Sequence, residues 1–530
     1  MVFYHDRAHD VLIYPAPLPH VRTALPEGRE INGRYFAVPR TLRACQVLRH
    51  YDLPVPPLID ETYDFPRNKK IVPQPYESQK VAANFMALHR RCFNLGDMGT
   101  GKTLSVLWAA DWLMRQQPGF RALIVAPLST LQRVWADAIF NHFLGARTFE
   151  ILHGDAKQRI AALKRDADFY IVNHDGIAVG AHTHKRLELG GFSRQLAERS
   201  DIQLAIVDEA SAYKDGTTRR HRISRLVFGN KPYLWCLTGT PTPNAPTDAY
   251  GLAKLVNNAL GKSWTGFRQD TMIQLSQFKW VPRQDGYDKA RQLLTPSIRF
   301  DIRDVWDAPA MTTQQREVAL TDQQKKLMRQ LKNELLVQVK SGPITVVNEA
   351  AARTKFIQIS LGAIYDDGHR AHAVDAEPRL GELLAVIEQA PGKMLIFAPL
   401  TSIVELVYKE IRGRWPTEIV NGNVKQKVRA RIFSRFQDEK DALRLIVADP
   451  GTMAHGLDLY LARTVVWYGT TDKAEIYAQA NKRAHRPGQR HSVSVIQIVS
   501  NPLEREIYRR LETNTSLQGT LLDMVRNNVI

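Results

Sequence analysis

Three cysteines among 530 residues, Cys45, Cys92 and Cys236, exclude a disulfide framework, and the absence of any CxxC spacing argues against a thiolate zinc site. A reducing compartment is the expected home. No apolar run approaches the ~20 residues of a membrane helix. Residues Met1 to Asp10 carry His5, Asp6 and Arg7 where a signal peptide would be apolar. Low-complexity tracts and fixed-period repeats are also missing. The acidic side chains are outnumbered, 54 Asp+Glu against 72 Lys+Arg, which leaves a net charge of +18. Such an excess attracts polyanions, nucleic acid first.

What remains is an ordinary globular composition, 44% hydrophobic and 24% charged, which excludes disordered, collagen-like and coiled-coil chains. At roughly 150 residues per domain, the length suggests three or four domains. Residues 1–70 are rich in proline (Pro15, Pro17, Pro19, Pro26, Pro39, Pro54, Pro56, Pro57). They read as a small N-terminal domain or arm with a strand at Arg34 to Val38 and a helix at Leu42 to His50. Residues 71–255 alternate helical stretches with short apolar runs at Leu123 to Pro127, Phe169 to Asn173, Leu204 to Ala210 and Leu234 to Thr240. These predict buried parallel strands in an open α/β sheet covered on both faces. Residues 256–378 lose that rhythm and read as a helical insertion, with helices at Thr321 to Val339 and Asn348 to Leu361. The alternation resumes in 379–530, with strands at Met394 to Pro399, Leu443 to Asp449, Thr464 to Gly469 and Val493 to Val499. The fold class expected is therefore α/β, two lobes with parallel sheets.

One motif carries chemistry outright. After the apolar run Cys92 to Leu95 comes GDMGTGKT, Gly96 to Thr103, followed by a helical run. Glycines let successive N–H groups point inward, making an anion nest at a helix N-terminus. Gly99, Thr100, Gly101, Lys102 and Thr103 are thus expected to cradle the phosphates of ATP. Lys102 should reach the β- and γ-phosphates, and the Thr103 hydroxyl should ligate Mg²⁺. A metal-orienting carboxylate is expected at a neighbouring strand end. The run LAIVDEAS supplies Asp208 for that role and Glu209 to polarise the attacking water.

The ordered motifs from Pro73 to Leu511 resemble superfamily 2 helicases, specifically Swi/Snf-type DNA translocases in their short prokaryotic and phage form. Gln79 in PYESQ matches the glutamine that reads adenine there. LIVAPLSTLQRVW (Leu123 to Trp135) is similar to motif Ia, DEAS with Lys214 to motif II, and LTGTPTPN (Leu237 to Asn244) to motif III. QANKRAHRPGQ (Gln479 to Gln489) is similar to motif VI, which implies that Arg483 and Arg486 reach the γ-phosphate as arginine fingers. The resemblance implies two RecA-like lobes. Motif V, DPGTMAHGLDL (Asp449 to Leu459), departs from the family: Asp458 stands where Asn is usual, so Gly456, not Asp458, is the residue expected near a ligand.

The same resemblance points to backbone contacts on DNA by Ser129 and Thr130, by Asn173, and by Asn421, Gly422 and Lys425 ahead of a basic helix. Arg219 and Arg220 lie in the cluster TTRRHRISR, just beyond DEAS. Phosphate contacts carry affinity but no sequence information, so binding to double-stranded DNA should be sequence-tolerant. The expectation is an ATP- and Mg²⁺-dependent DNA motor, monomeric, without membrane contact, in a bacterial or phage-infected cytoplasm. A strand-separating DNA or RNA helicase is the alternative within the enzyme class. An inactive DNA-binding scaffold is the alternative outside it.

Overall fold

The apolar runs form parallel strands buried on both faces. In Arg121–Ala126, the side chains of Ala122, Ile124 and Ala126 enter one core, and Leu123 and Val125 enter the other. A strand covered on both sides reads as continuous apolar sequence, not as an alternation. The computed structural model describes residues 3–15, 18–70, 74–183, 187–257, 260–276, 280–341, 346–366, 370–453, 458–513 and 524. The chain divides into two units, Met1–Val305 and Trp306–Ile530.

The first unit is built on a seven-stranded sheet. Its order is Ser297–Ile298, Arg91–Asn94, Tyr233–Leu237, Ile202–Val207, Arg121–Ala126, Phe169–Asn173 and Phe149–Leu152, with every pairing parallel. The N-terminal segment folds as a four-stranded antiparallel sheet. Its Leu12, Tyr14, Phe36 and Val38 share one core with Ala82, Ala83 and Trp108 beside the large sheet. The helix Leu42–His50 starts where expected because the Thr41 hydroxyl accepts the Ala44 N–H at 3.1 Å.

The second unit carries a six-stranded parallel sheet. The order is Met311–Glu317, Val493–Val499, Ala462–Trp467, Lys393–Phe397, Leu445–Ala448 and Thr417–Val420. Helices Asp322–Ser341 and Val346–Leu361 precede the inner strands. Arg379 and Glu504 form an ion pair at 2.5 Å that is almost wholly removed from solvent. The guanidinium also donates to the carbonyl of Ile498, and the carboxylate accepts from the Ser500 N–H and hydroxyl. Buried charges persist when such extra hydrogen bonds accompany the pair. Among the described residues, no helix is long and apolar enough to cross a membrane.

Candidate nucleotide site and nucleic-acid interface

Because the strands are parallel, their carboxyl ends share one edge, and the loops that could hold a ligand gather there. The loop Gly96–Thr103 leaves the strand Arg91–Asn94 and enters the helix Lys102–Gln116. It needs left-handed backbone at Gly99 (φ +88°) and Gly101 (φ +78°), which side chains rarely adopt. At Gly101 a Cβ would also lie 2.0 Å from Gln79 Nε2. Gln79 is 2% exposed. Its Oε1 accepts the Tyr76 N–H at 2.9 Å, and its Nε2 donates to the Gly101 carbonyl at 3.3 Å. The glutamine is thereby tied to the phosphate loop itself.

Inside the loop, Asn94 Oδ1 accepts the Gly96 N–H at 3.2 Å, and the Thr100 hydroxyl donates to the Asp97 carbonyl at 2.8 Å. Lys102 Nζ lies 2.6 Å from the Gly96 carbonyl and 2.9 Å from that of Asp97. Its ammonium is thus folded into the curl, at the positive end of a helix dipole. Thr103 occupies the first turn of the same helix.

Asp208 and Glu209 follow the strand Ile202–Val207, two places along the sheet from Arg91–Asn94. The Asp208 N–H donates to the Val125 carbonyl at 2.8 Å. Its carboxylate accepts the Glu209 N–H at 3.0 Å and the indole N–H of Trp135, also at 3.0 Å. Glu209 is left-handed (φ +47°), a strained state for a residue with a side chain, of the sort that clusters at functional sites. Between the two strands, the loop after Tyr233–Leu237 brings Gly239 against the phosphate loop. A Cβ there would stand 3.4 Å from the Gly96 carbonyl oxygen.

Among the described residues, no three His, Cys, Asp or Glu side chains converge on a metal position. One carboxylate and one hydroxyl suit Mg²⁺ all the same. That ion commonly takes one or two protein carboxylates and completes its octahedron with substrate phosphates and water.

In the second unit, the segment Gln479 to Gln489 begins on the helix Ala474–Asn481. Trp467 Nε1 donates to Asn481 Oδ1 at 2.8 Å, and Gln489 Nε2 donates to the Ala462 and Ala484 carbonyls at 2.8 and 3.2 Å. The turn bearing the arginines is thus fixed at both ends. Arg483 is buried, with its carbonyl accepting the Leu459 N–H at 3.0 Å. Arg486 forms an ion pair with Asp458, the residue that departs from the usual motif V. Burial holds the Asp449 carboxyl above its ordinary range, opposed by hydrogen bonds from Thr452 and Gly451. Gly456 lies outside the described residues.

The expected nucleic-acid contacts of the first unit gather at one stretch of the sheet edge. Ala126 and Asn173 are register partners, so the segment from Pro127 and the turn at His174 leave side by side. Ser129 is exposed, whereas Thr130 is buried with its hydroxyl on the Pro127 carbonyl at 2.9 Å. Asn173 Oδ1 accepts from Arg159 Nη2 at 3.3 Å, and Arg159 is itself fixed by the carbonyls of Leu152 and Gly154. Arg220 pairs with Asp175 at 2.7 Å, and Arg219 donates to the Ala181 carbonyl at 2.7 Å. In the second unit, Gly422 and Lys425 are exposed. Asn421 is buried, its Oδ1 accepting the Asn423 N–H at 3.0 Å. Arg429 braces that loop through the carbonyls of Val424, Asn421 and Gly422.

Side chains that touch these residues and carry no role in the sequence reading include Trp135 on Asp208, Arg159 on Asn173, Asp175 on Arg220 and Asp458 on Arg486. Trp135 had a visible signal, its place at the end of the motif Ia run. Asp458 stood out as the departure in motif V, whereas Arg159 and Asp175 are set by tertiary proximity alone.

Comparison with known proteins identifies the family of the chain. A family model described as the SNF2-related domain matches residues 79–362, more than half of the chain, and one described as the helicase conserved C-terminal domain matches 377–488. The chain is 23% identical over 482 residues to protein p41 of Acyrthosiphon pisum secondary endosymbiont phage 1, covering 86% of this chain and 99% of that protein. It is 24% identical over 518 residues to mouse (Mus musculus) chromodomain-helicase-DNA-binding protein 9, covering 89% of this chain but 17% of the relative. It is similar, with a TM-score of 0.39 and 19% identity, to the Sulfolobus solfataricus SWI2/SNF2 ATPase core in complex with dsDNA, covering 87% of this chain and 95% of that one. The class is that of ATP-hydrolysing, helicase-type enzymes. Within it, the chain belongs to the SNF2-related family.

Proposed function

We propose that the chain is an ATP-driven motor on double-stranded DNA, used for branch migration, strand annealing or protein displacement in phage or bacterial DNA metabolism. One observation carries the reading. The glycine–lysine loop, Gln79 and the Asp208–Glu209 pair occupy one edge of a parallel sheet, with Gln79 bonded to the loop it would serve.

In this mechanism, Gln79 holds the adenine, and the N–H groups of Gly99 to Thr103 with the Lys102 ammonium hold the phosphates. Thr103 and Asp208 would hold Mg²⁺, which neutralises charge on the phosphates when bound. Glu209 orients the attacking water and takes its proton. Arg483 and Arg486 stabilise charge on the transferred phosphoryl group, so hydrolysis depends on the second lobe and is coupled to lobe motion. Ser129, Asn173, Arg219, Arg220, Gly422 and Lys425 present donors to the DNA backbone, with Thr130 and Asn421 shaping the loops that carry them. In this reading residues 1–70 are an accessory module, 71–255 and 379–530 the bulk of the two motor lobes, and 256–378 the stretch between them in sequence, which also lends Ser297–Ile298 to the first sheet and Met311–Glu317 to the second. The motor works as a monomer in the bacterial or infected-cell cytoplasm.

The test is ATP turnover measured with no polymer, with single-stranded DNA, with duplex DNA and with RNA. Duplex-specific stimulation is expected, and binding should weaken with salt at a log–log slope near −5 if ~6 phosphates are neutralised. Stimulation by RNA alone, or no turnover at all, would reject the reading.

The Arg486–Asp458 pair adds a second expectation. While Asp458 holds Arg486, the guanidinium's charge is partly spent at home. Asp458→Asn should therefore raise polymer-free turnover about two- to fivefold, the weight of a partly exposed ion pair. A steady-state assay reads this directly, and a fall would show that the pair helps catalysis.

A further inference from the structure

We propose that Trp135 is the residue that couples nucleic-acid contact at the Leu128–Ala136 segment to the carboxylate of Asp208. The inference rests on the reading above, in which Ser129 faces DNA and Asp208 serves the nucleotide's metal.

Three observations carry it. First, Trp135 is fully buried and gives its indole N–H to Asp208 Oδ2 at 3.0 Å, across 73 positions of sequence. A hydrogen bond to a charged oxygen is among the stronger polar contacts. With the Glu209 N–H on the other oxygen, it fixes the carboxylate's rotation.

Second, the chain that joins Ser129 to Trp135 changes its winding twice. A 3₁₀ turn at Leu128–Thr130 gives way to a π-helix at Leu131–Ala136, and that to an α-helix at Asp137–Phe143. π-turns are rare, are found mostly as single turns, and concentrate at functional sites. Moving between π and α winding changes the number of residues per turn, so everything downstream rotates about the axis. A displacement at Ser129 is thereby turned into rotation of the Trp135 ring.

Third, the surroundings hold still. The strands Arg121–Ala126 and Ile202–Val207 are paired along their length, and the Asp208 N–H is bonded to the Val125 carbonyl. The main chain at Asp208 is therefore fixed to the strand from which the Leu128–Ala136 segment departs, and the adjustable part is that wound segment with its indole. DNA seated on Ser129 would bias that segment, and the indole would transmit the bias to Asp208.

The experiment measures binding, not turnover. ADP with Mn²⁺ is titrated into the full chain by calorimetry, with and without a short DNA duplex. In the native protein, duplex should change ADP–Mn²⁺ affinity at least about fivefold, and ADP–Mn²⁺ should change duplex affinity by the same factor, since coupling is reciprocal. Trp135→Phe keeps the buried ring and removes the N–H. In that variant duplex should still bind, but the coupling factor should fall to near one. Coupling that survives in Trp135→Phe overturns the proposal. So does a native protein that binds duplex with no effect on ADP–Mn²⁺ affinity, a result that stands even if the variant does not fold. A native protein that binds no duplex would instead reject the motor reading, and this proposal with it.

Discussion

Arg486→Ala is expected to lower ATP turnover by about 10³-fold or more while leaving nucleotide binding largely intact. The guanidinium would act on charge that develops as the phosphoryl group transfers, so its loss falls on the rate and not on ground-state affinity. The pairing with Asp458 sharpens the test. If Asp458 acts only by occupying Arg486, then Asp458→Asn placed on top of Arg486→Ala should do nothing further. Steady-state kinetics of the single and double variants, beside equilibrium binding of a labelled nucleotide, decide the matter. Near-native turnover in Arg486→Ala would remove that arginine from the mechanism.

Lys102→Ala carries the second large effect, a loss of about 10²–10³ in turnover, as when one electrostatic partner of a transition state is removed. Lys102 also braces its own loop, through the carbonyls of Gly96 and Asp97. The substitution therefore removes two hydrogen bonds, each worth about 1 kcal/mol to stability. Thermal unfolding of the variant measures that contribution separately. A stable, folded Lys102→Ala protein that fails to turn over ATP assigns the loss to chemistry. One that hydrolyses normally removes the lysine from it.

The inner strands were legible because their cause is local. Phe169–Asn173 and Val493–Val499 have the predicted bounds, the first apolar up to Asn173 and the second apolar but for Ser494 and Gln497. Edge strands were not. Ser297–Ile298 is two residues long, and Met311–Glu317 reads MTTQQRE, a polar and mostly exposed sequence that pairs through its backbone. Hydrophobic pattern cannot report a strand held that way. The π-turn at Leu131–Ala136 was equally hidden, since no residue type demands it.

The site divides similarly. Gly96 to Thr103 and Asp208–Glu209 were readable because each group of residues is contiguous and follows an apolar run. The link from Gln79 to Gly101 and the bonds on Asp208, Asn173 and Arg486 join residues that only the folded chain brings together. Thr130 and Asn421 show another feature that residue type does not report, the burial of a side chain. Their residue types suit a phosphate contact, yet their side chains are buried and bonded to their own loops.

The strand Met311–Glu317 opens the second unit yet is zipped along its full length to Val493–Val499, and Arg379 likewise meets Glu504. A ribosome emits these partners more than a hundred residues apart. The sheet's outer edge must therefore wait bare, and the arginine must stay hydrated, until Val493–Val499 and Glu504 have left the exit tunnel. Premature termination anywhere before the last strand would leave a sticky, unfinished sheet and not a smaller working part.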